Sequence, residues 1–518
     1  MVSKPKCKLV IAGPGGGKTH SMVQNVLESM QSLHPARFCA VITYTNAATE
    51  EIKSRLAKKA TIPNNVFIGT IHSFLNKFIV IPYLSLVNQN INFDKTFLQI
   101  SSEDIVRKKM GVSGKEKAIV KKKVYESLNK KGLITFDQTV SLALETIKNK
   151  DVKSIICKRL QFLFIDEFQD IDNKQYDIFE TIRKNKHTNI YCVGDPEQYI
   201  SGYLNPKLPY MNIPILKASI NSQYSVKLAQ ENHRSSLPII SFLNNFNGRT
   251  YNKSIFEQQK VQNENKSISS VMFITKTDID SIYLSLKEIL IKYNHSVEEV
   301  LILAKENSTI KKIKAIIVSH KESLKNMTFK AVELMTNIIT TLTKKTKNNI
   351  IEEANISKLE FRKFIIKCLK SQINCEKDLI NFIKSELSIV ILNNIGGKQH
   401  KYLINTSQIK SANDICIKSS RSITISNIHK AKGLQSNIVL CIAKNLKELK
   451  YWMETDSNIR EQTVLNSKNK KDLEFDDYFR IGYVAFSRAR KLLLIACLEN
   501  IDSEMKEKIL NLKIEIIN

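Results

Sequence analysis

The residues best suited to chemistry form a glycine loop near the start of the sequence. The loop reads Ala12-Gly-Pro-Gly-Gly-Gly-Lys18-Thr19 and fits the Walker A pattern, except that Ala12 stands in the first glycine position. An apolar stretch precedes it and a helical pattern follows it. Glycines let backbone N–H groups surround a phosphate, so Lys18 is expected to neutralise the β- and γ-phosphates and the Thr19 hydroxyl to hold Mg²⁺. The predicted nucleotide-binding residues of this segment are Gly13, Pro14, Gly15, Gly16, Gly17, Lys18, Thr19 and His20.

Two adjacent carboxylates are the second feature with catalytic potential. Asp166 and Glu167 follow the apolar run Phe162–Ile165, at the C-terminal end of a predicted buried strand, where open parallel sheets bind ligands. Asp166 is expected to reach the Mg²⁺ shell, and Glu167 to orient and deprotonate an attacking water. Taken alone, the glycine loop could be an ordinary turn and the acidic pair an ordinary strand-to-loop connection. Their coexistence in one chain favours a nucleotide-hydrolysing site.

These side chains need parallel sheets to position them, and the sequence predicts two. Apolar runs bounded by turns alternate with amphipathic helical patterns, which is typical of doubly wound α/β domains. The first set of strands is predicted at Cys7–Ala12, Phe38–Thr45, Val66–Ile71, Phe162–Ile165 and Asn189–Val193. The second set is predicted at Ser269–Thr275, Glu299–Ala304, Ser422–Ser426, Asn437–Ile442 and Leu492–Cys497.

Polar, helical stretches interrupt both sets of strands. The fold class expected is therefore α/β, with two parallel-sheet cores that each carry a mainly helical insert. The predicted ranges are 1–75 and 159–265 for the first core, 76–158 for its insert, 266–320 and 421–518 for the second core, and 321–420 for its insert. Glycine and proline are sparse, so no long flexible linker is expected.

Composition narrows the choice of partner. The 518 residues carry 79 Lys+Arg against 50 Asp+Glu, a formal charge of +29, which indicates a polyanion such as nucleic acid. A coding bias towards lysine is the alternative. No apolar run approaches the length of a membrane-spanning helix, so no membrane partner is expected. The nine cysteines include no CxxC pair, which argues against zinc and disulfide frameworks and fits a reducing cytoplasm.

Further segments follow the glycine loop in a fixed order that resembles the superfamily 1 helicases of the UvrD/Rep/PcrA type. In family order, motifs Ia, Ib and II are similar to Thr43–Asn46, Gly69–Phe74 and Asp166–Asp170, and motifs III to VI are similar to Val193–Gln198, Asn232–Ser236, Ile428–Leu434 and Tyr483–Arg490. The segment Gly132–Asp137 also resembles the stretch that precedes motif II. The resemblance implies two RecA-like P-loop NTPase cores with inserts known as 1B and 2B, and ATP as substrate.

The resemblance also implies roles at the nucleotide. Gln198 would sense the γ-phosphate, and Arg234 and Arg488 would act as arginine fingers, with Lys18, Asp166 and Glu167 completing the catalytic set. Gly433 and Gln435 would contribute to nucleotide binding. For each arginine taken without its motif, a surface salt bridge is the alternative. His20, His233 and Gln435 depart from the family pattern, and the loop begins too early for the usual upstream glutamine motif. Relaxed nucleotide selectivity is therefore expected.

Contacts with single-stranded DNA are also implied by the resemblance. Such motors hold a strand with cations and with aromatic faces on which bases stack. The expected DNA-binding residues are Thr43, Tyr44, Asn46, His72, Tyr199, Tyr203 and His429. A half-buried core position is the alternative for any one tyrosine. The run Arg107–Lys131, with ten Lys/Arg against two Glu, could grip DNA phosphates or could simply be a solvated helical face.

The expected function is a Mg²⁺-dependent NTPase motor that moves on single-stranded DNA and unwinds duplex at junctions, with 3′→5′ polarity implied by the resemblance. DNA repair and antiphage defence are the processes considered. The alternative is a DNA-sensing NTPase subunit that controls a partner nuclease with little unwinding. The helicase-like subunit of the Gabija antiphage system is similarly short and UvrD-like. Only about twenty residues come after Cys497, so no C-terminal nuclease domain is expected in this sequence.

Overall fold

A computed structural model gives the structure of most of the chain. It describes residues 7–87, 98–100, 117–130, 133–201, 210–251, 253–261, 270–296, 299–319, 322–343, 345–354, 356–371, 373, 376–387, 423–462 and 478–517.

The strands within these ranges are numbered in chain order. They are β1 (Cys7–Ala12), β2 (Phe38–Thr43), β3 (Val66–Thr70), β4 (Leu98–Ile100), β5 (Leu133–Thr135), β6 (Leu160–Ile165), β7 (Asn189–Gly194), β8 (Ser225–Ala229), β9 (Glu231–Asn232), β10 (Thr250–Tyr251), β11 (Ser254–Ile255), β12 (Gln259–Lys260), β13 (Ser270–Ile274), β14 (Val300–Ala304), β15 (Thr424–Asn427), β16 (Ser436–Ala443), β17 (Ala489–Cys497) and β18 (Glu515–Ile517).

Helices make up most of the remaining described structure. In the first half of the chain they span Lys18–Gln31, Asn46–Ala57, Ile71–Leu75, Ile81–Val87, Lys117–Asn129, Phe136–Lys148, Lys150–Arg159, Asn173–Lys184, Pro214–Ser219 and Leu237–Asn244. In the second half they span Ile279–Lys292, Asn307–Ser319, Glu322–Thr343, Lys347–Glu353, Lys358–Lys370, Glu376–Leu387, Leu446–Trp452, Ser457–Gln462, Tyr478–Phe486 and Ser503–Asn511. Shorter turns are a π-helix at Asn76–Val80 and 3₁₀ helices at Phe168–Asp170, Pro196–Gln198, Tyr210–Asn212 and His429–Ala431.

The first core is a six-stranded parallel sheet in the order β3-β2-β6-β7-β1-β8. Its central strands are nearly continuous apolar runs because helices cover both faces. Strand β1 lies between β7 and β8, with Leu9 opposite Cys192 and Val226. The glycine loop and the acidic pair therefore emerge at one edge, from the C-terminal ends of strands β1 and β6 on either side of β7.

The second core repeats this architecture. Its six parallel strands follow the order β15-β14-β16-β17-β13-β18. Every residue of β14 is buried, as expected for a strand covered on both faces. The predicted fold class, two α/β cores with parallel sheets, is confirmed.

The hydrophobic clusters group two segments differently from the predicted domain ranges. Phe78, Val140 and Ile156, from the range predicted as the first insert, belong to the same hydrophobic cluster as Leu163 of the first core. The helix Leu237–Asn244 packs in the hydrophobic cluster of the second core, although its position in the chain predicted the first. The exact domain boundaries remain a prediction.

The described helices between 332 and 387 form a hydrophobic cluster of their own, which includes Met335, Phe361 and Leu379. Such a cluster suits a helical unit inserted into the second core. Within the described ranges, no helix combines the length and the apolar character that crossing a bilayer requires.

Candidate functional site

The glycine loop joins β1 to the helix Lys18–Gln31 in a conformation that glycine alone suits. Gly15 has φ +74° and Gly17 has φ +68°, in the left-handed region. A Cβ on Gly15 would lie 2.4 Å from the Asn232 Oδ1 atom, so a side chain there would clash as well. Gly17 is the N-cap and supplies no side-chain cap. The first N–H groups of the helix therefore face the loop, where an anion can accept their hydrogen bonds.

Residues from much later in the chain brace this loop. The Pro14 carbonyl accepts hydrogen bonds from Asn232 Nδ2 at 3.0 Å and from Gln258 Nε2 at 2.9 Å, and the His233 N–H donates to the Gly15 carbonyl at 3.0 Å. Gln258 could not be predicted from the sequence, because it lies between two very short strands with no motif or periodicity around it. These three hydrogen bonds hold the loop in its conformation.

The acidic pair lies beside the loop. Burial and the adjacent Glu167 carboxylate raise the pKa of Asp166 to about 7. Burial also acts to raise the pKa of Glu167, but Lys18, a 2.8 Å hydrogen bond from Gln169 Nε2, and Lys432 together hold it below its ordinary value. Glu167 adopts a left-handed φ of 47°, a strained conformation for a residue with a side chain. Strain of this kind is concentrated at functional sites.

The oxygen atoms at this edge fit a magnesium ion. Thr19 supplies a half-buried hydroxyl and Asp166 a buried carboxylate. The raised pKa of Asp166 shows that its charged form lacks full compensation from the surrounding protein, as expected for a carboxylate whose partner is a cation. Mg²⁺ typically binds through one or two protein oxygens together with substrate phosphates and water.

Arg488 and Gln198 connect the two cores across the cleft. Arg488 Nη2 donates to Gln198 Oε1 at 3.0 Å, and Gln198 Nε2 donates to Asp195 Oδ2 at 2.7 Å. Arg234 Nη1 donates to the Ser487 carbonyl at 3.1 Å, beside Arg488. Burial, Arg488 and Arg490 lower the pKa of Arg234 to about 9, so it stays protonated at neutral pH. Two cations and the Gln198 amide thus converge between the cores.

We call the cavity between these groups the nucleotide cleft. It has a volume of about 570 Å³ and contains six Lys/Arg side chains and two glutamates among its lining residues. Every residue that the sequence analysis predicted to bind nucleotide lies in this lining, together with Glu167 and Gln198. The lining residues are Gly13, Pro14, Gly15, Gly16, Gly17, Lys18, Thr19, His20, Glu51, Arg55, Glu167, Gln198, His233, Arg234, Gly433, Gln435, Asn437, Arg488, Arg490 and Lys491. Such an excess of cations suits a polyphosphate.

A second cavity, which we call the aromatic groove, lies along the first core and has a volume of about 690 Å³. Tyr44 and Phe136 line it with 43% and 42% of their surface exposed. His72 packs edge-on against Phe136 at 5.2 Å between ring centroids. Exposed aromatic faces in a groove suit the stacking of unpaired bases. Phe136 is not among the DNA-binding residues predicted from the sequence, although it lies in the segment that resembles the stretch preceding motif II.

The other predicted DNA contacts are placed differently. Asn46 is exposed at the start of its helix. The pKa of His429 is lowered by burial and by the nearby Lys305 and Lys432. Thr43 is fully buried and its hydroxyl pairs with that of Thr49 at 2.6 Å, so its side chain is not available to DNA. Tyr199 lines the groove but is only 4% exposed, because it packs in the first core.

Two predicted elements lie wholly or partly outside the described residues. They are Tyr203 and, within the basic run Arg107–Lys131, residues 107–116 and 131; most of the rest of the run lies in the helix Lys117–Asn129. Their assignment to DNA stays a prediction.

An ion pair lies between the cleft and the groove. Lys432 Nζ, from the second core, lies 2.6 and 2.8 Å from the two carboxylate oxygens of Asp170, which lines the groove. Lys432 also contributes to the low pKa of Glu167. The same lysine therefore acts electrostatically on both cavities.

Comparisons with known proteins agree with this geometry. Residues 1–203 match a family model described as an AAA domain, and residues 319–500 match one described as a UvrD-like helicase C-terminal domain. Individual relatives also match parts of the chain. The RecBCD enzyme subunit RecB of Buchnera aphidicola is 31% identical over 231 residues, covering 42% of this chain and 18% of that protein.

Two further relatives match longer segments. The ATP-dependent DNA helicase Rep of the same organism is 27% identical over 302 residues, which cover 49% of this chain and 45% of Rep. The Gabija protein GajB of Bacillus cereus is 25% identical over 321 residues, covering 60% of this chain and 58% of GajB. This chain thus spans less than two thirds of the length of each of these relatives.

Proposed function

We propose that this chain is a DNA-dependent NTPase that moves along single-stranded DNA and unwinds duplex. The chain belongs to the UvrD/Rep-like superfamily 1 helicases. ATP is the proposed substrate and Mg²⁺ the proposed cofactor. The direction we infer is 3′→5′, and the process is DNA repair or antiphage defence. Single strands and single-strand/duplex junctions are the proposed partners.

The observation that carries this proposal is the nucleotide cleft, to which both cores contribute. The loop and the acidic pair come from the first core, and Arg488, Arg490 and Lys491 come from the second. Cations of the second core can reach a transferring phosphoryl group only while the cores are together. Hydrolysis is therefore coupled to the relative position of the cores, as a motor requires.

The chain's own residues account for each part of the hydrolysis. The loop N–H groups and Lys18 bind the β- and γ-phosphates. Thr19 and Asp166 would hold the magnesium ion, which would stabilise the charge on the phosphates. Glu167 is deprotonated, because Lys18 and Lys432 lower its pKa, and so it can accept a proton from the attacking water. Arg234 and Arg488 stabilise the charge on the phosphoryl oxygens.

Single-stranded DNA is assigned to the aromatic groove, with Tyr44 and Phe136 as stacking faces. Asp170 lines this groove and pairs with Lys432, and Tyr199 directly follows the sensor Gln198. A strand that displaces either residue would shift a group next to the γ-phosphate. This proximity supports stimulation of hydrolysis by DNA.

A second candidate function is that of a DNA-sensing NTPase subunit that controls a partner nuclease and unwinds little. The similarity to the Gabija protein GajB favours it. Both candidates use the same cleft and the same groove, so they differ in whether the free energy of hydrolysis is used to separate strands or to control the nuclease.

Strand displacement separates the two candidates. Duplexes with a 3′ tail, a 5′ tail or no tail are incubated with the protein, Mg²⁺ and ATP, and released strand is measured beside phosphate release. The motor predicts displacement on 3′-tailed duplexes above the other two. DNA-stimulated hydrolysis without displacement supports the regulatory subunit, and no hydrolysis on any substrate contradicts both.

A further inference from the structure

Glu197 forms a buried charged cluster that the proposed chemistry does not use. Its carboxylate accepts hydrogen bonds from Arg249 Nη2 at 3.2 Å, Arg460 Nη2 at 2.8 Å and the Tyr210 hydroxyl at 3.1 Å, and Arg480 Nε lies 3.9 Å away. We call these five residues the Glu197 cluster. Its glutamate directly precedes the sensor Gln198 in the 3₁₀ helix Pro196–Gln198.

The cluster joins the two cores. Glu197 and Tyr210 lie in the first core, whereas Arg460 and Arg480 lie on the helices Ser457–Gln462 and Tyr478–Phe486 of the second. The second of these helices leads directly to Arg488, which donates to Gln198. Both ends of the contact between Gln198 and Arg488 are thus attached to the same cluster.

The charges in this cluster make the carboxylate central. Glu197 and Arg460 have side-chain exposures of 7% and 5%, and Arg480 has 1%. Burial acts to raise the pKa of Glu197, but Arg460, Arg249 and Arg480 together lower it, so the carboxylate is charged. Arg480 also stacks on the Tyr210 ring, 3.1 Å from the ring centroid. Without the carboxylate, the three guanidinium groups would lose their shared counter-charge. The uncompensated buried charges would then weaken the contact between the cores at this point.

We propose that Glu197 is a positioning residue: it keeps Gln198 within reach of Arg488 by tying the turn that carries the sensor to the second core. Glu197 does not line the nucleotide cleft, so it acts through its neighbour. The proposal rests on the proposed function, in which Gln198 and Arg488 read the γ-phosphate. A displacement of about 1 Å at such a contact can lower a rate on the order of 10²-fold.

A second buried glutamate, paired with one arginine and one tyrosine within a single core, provides a control. Glu180 accepts two hydrogen bonds from Arg183, at 2.8 and 2.7 Å, and one from the Tyr224 hydroxyl at 2.8 Å. All three residues belong to the first core. Glu180→Gln therefore removes a buried, arginine-paired carboxylate without loosening a link between the cores.

The test compares Glu197→Gln with Glu180→Gln in the full chain. Steady-state hydrolysis gives kcat and KM, and thermal unfolding is recorded with ADP and with a non-hydrolysable ATP analogue, both with Mg²⁺. Glu197→Gln is expected to lower kcat about 10- to 100-fold with little change in KM. It is also expected to lose the extra stabilisation that the triphosphate gives over the diphosphate. Glu180→Gln is expected to keep both properties, and Glu197→Asp to restore part of kcat.

Equal losses in the two Gln variants, or an unchanged kcat in Glu197→Gln, would overturn the proposal. Should Glu197→Gln not fold, Arg460→Gln breaks the same link from the second core and is expected to give the same split between kcat and KM. The thermal comparison does not require hydrolysis. An inactive wild-type protein would therefore refute the proposed function, while the loss of triphosphate-specific stabilisation in Glu197→Gln alone would still support the positioning role.

Discussion

The nucleotide cleft and the aromatic groove both border the first core but are built from opposite kinds of residue. The cleft has six Lys/Arg against two glutamates in its lining. The groove has one lysine against two aspartates, with Tyr44 and Phe136 as its exposed faces. Charge therefore selects the ligand in the cleft, whereas in the groove the described residues offer stacking surface and little attraction for phosphate.

The difference in charge between the two cavities changes how the net charge of the chain is interpreted. A formal charge of +29 indicated a polyanion partner such as nucleic acid, yet the described lining of the groove is close to neutral. Of the two cavities, the one where a nucleotide would bind has the cationic lining. The comparison predicts that substitutions in the cleft act on the rate of hydrolysis, and that substitutions in the groove act on the affinity for DNA.

The largest effect is expected for Arg488→Ala. Removing an arginine finger lowers kcat by about 10³- to 10⁵-fold, because charge on the phosphoryl group is no longer stabilised. Steady-state phosphate release measures it, and retained binding of a fluorescent nucleotide shows that the cleft is intact. Arg490→Ala is the matched control, since Arg490 lines the same cleft but is exposed. Equal losses in both variants would show that overall charge, and not a finger, is responsible.

The second largest effect is expected for Glu167→Gln, which should lower kcat by about 10²- to 10⁴-fold and keep nucleotide binding. The amide keeps the shape of the side chain but cannot accept the proton of the attacking water. Single-turnover hydrolysis and equilibrium nucleotide binding are measured on the same preparation. Turnover close to that of the wild type would remove Glu167 from its role as base.

Changes in the aromatic groove are expected to be smaller and to leave the chemistry intact. Tyr44→Ala and Phe136→Ala should each weaken single-stranded DNA binding by about 1–3 kcal/mol, since stacking on an aromatic face contributes that much per base. Fluorescence anisotropy with a labelled oligonucleotide measures the affinity. Tyr44→Phe keeps the ring and should bind like the wild type. A raised KM for ATP without DNA in the alanine variants would contradict the separation of the two cavities.

The smallest effect is expected for the one lysine in the described lining of the groove. Lys174 donates to the Ser141 hydroxyl at 2.9 Å and can contact at most one phosphate from there. Lys174→Ala should reduce the slope of log K against log salt concentration by roughly 0.7, the value for one contact on a single strand. Titrations at several salt concentrations give the slope. A decrease several times larger would show that cationic side chains, and not only stacking, hold the DNA in the groove.

Local patterns in the sequence predicted the strands well. Strand Cys7–Ala12 was predicted at its observed bounds because Gly13 ends an apolar run there, and the other predicted strands agree with the structure to within about two residues at most ends. Strand β8 was missed, since it is a five-residue edge strand with Ser225 and Lys227 exposed, and so lacks a continuous apolar run. The short strand β18, near the end of the chain, was missed as well.

The residues of the candidate site likewise differ in whether a local sequence pattern predicts them. Lys18, Asp166 and Glu167 stand in dense local motifs, and these could be found by spacing alone. Gln258 and the arginines around Glu197 were missed because folding brings them to the site from distant parts of the chain, with no local pattern to mark them. Thr43 is a case where the sequence pattern did not indicate burial: its segment resembles a DNA-binding motif, and its side chain is buried in the first core.

The most direct test of the central claim is the rate of ATP hydrolysis, with Mg²⁺, measured across a titration of single-stranded DNA. A cleft formed by both cores next to an aromatic groove predicts a rate that rises with DNA and then saturates. Glu167→Gln should stay near zero throughout, and Phe136→Ala should reach saturation only at higher DNA concentrations. A wild-type rate that is absent, or that does not change when DNA is added, would contradict the claim that the two cavities form one coupled site.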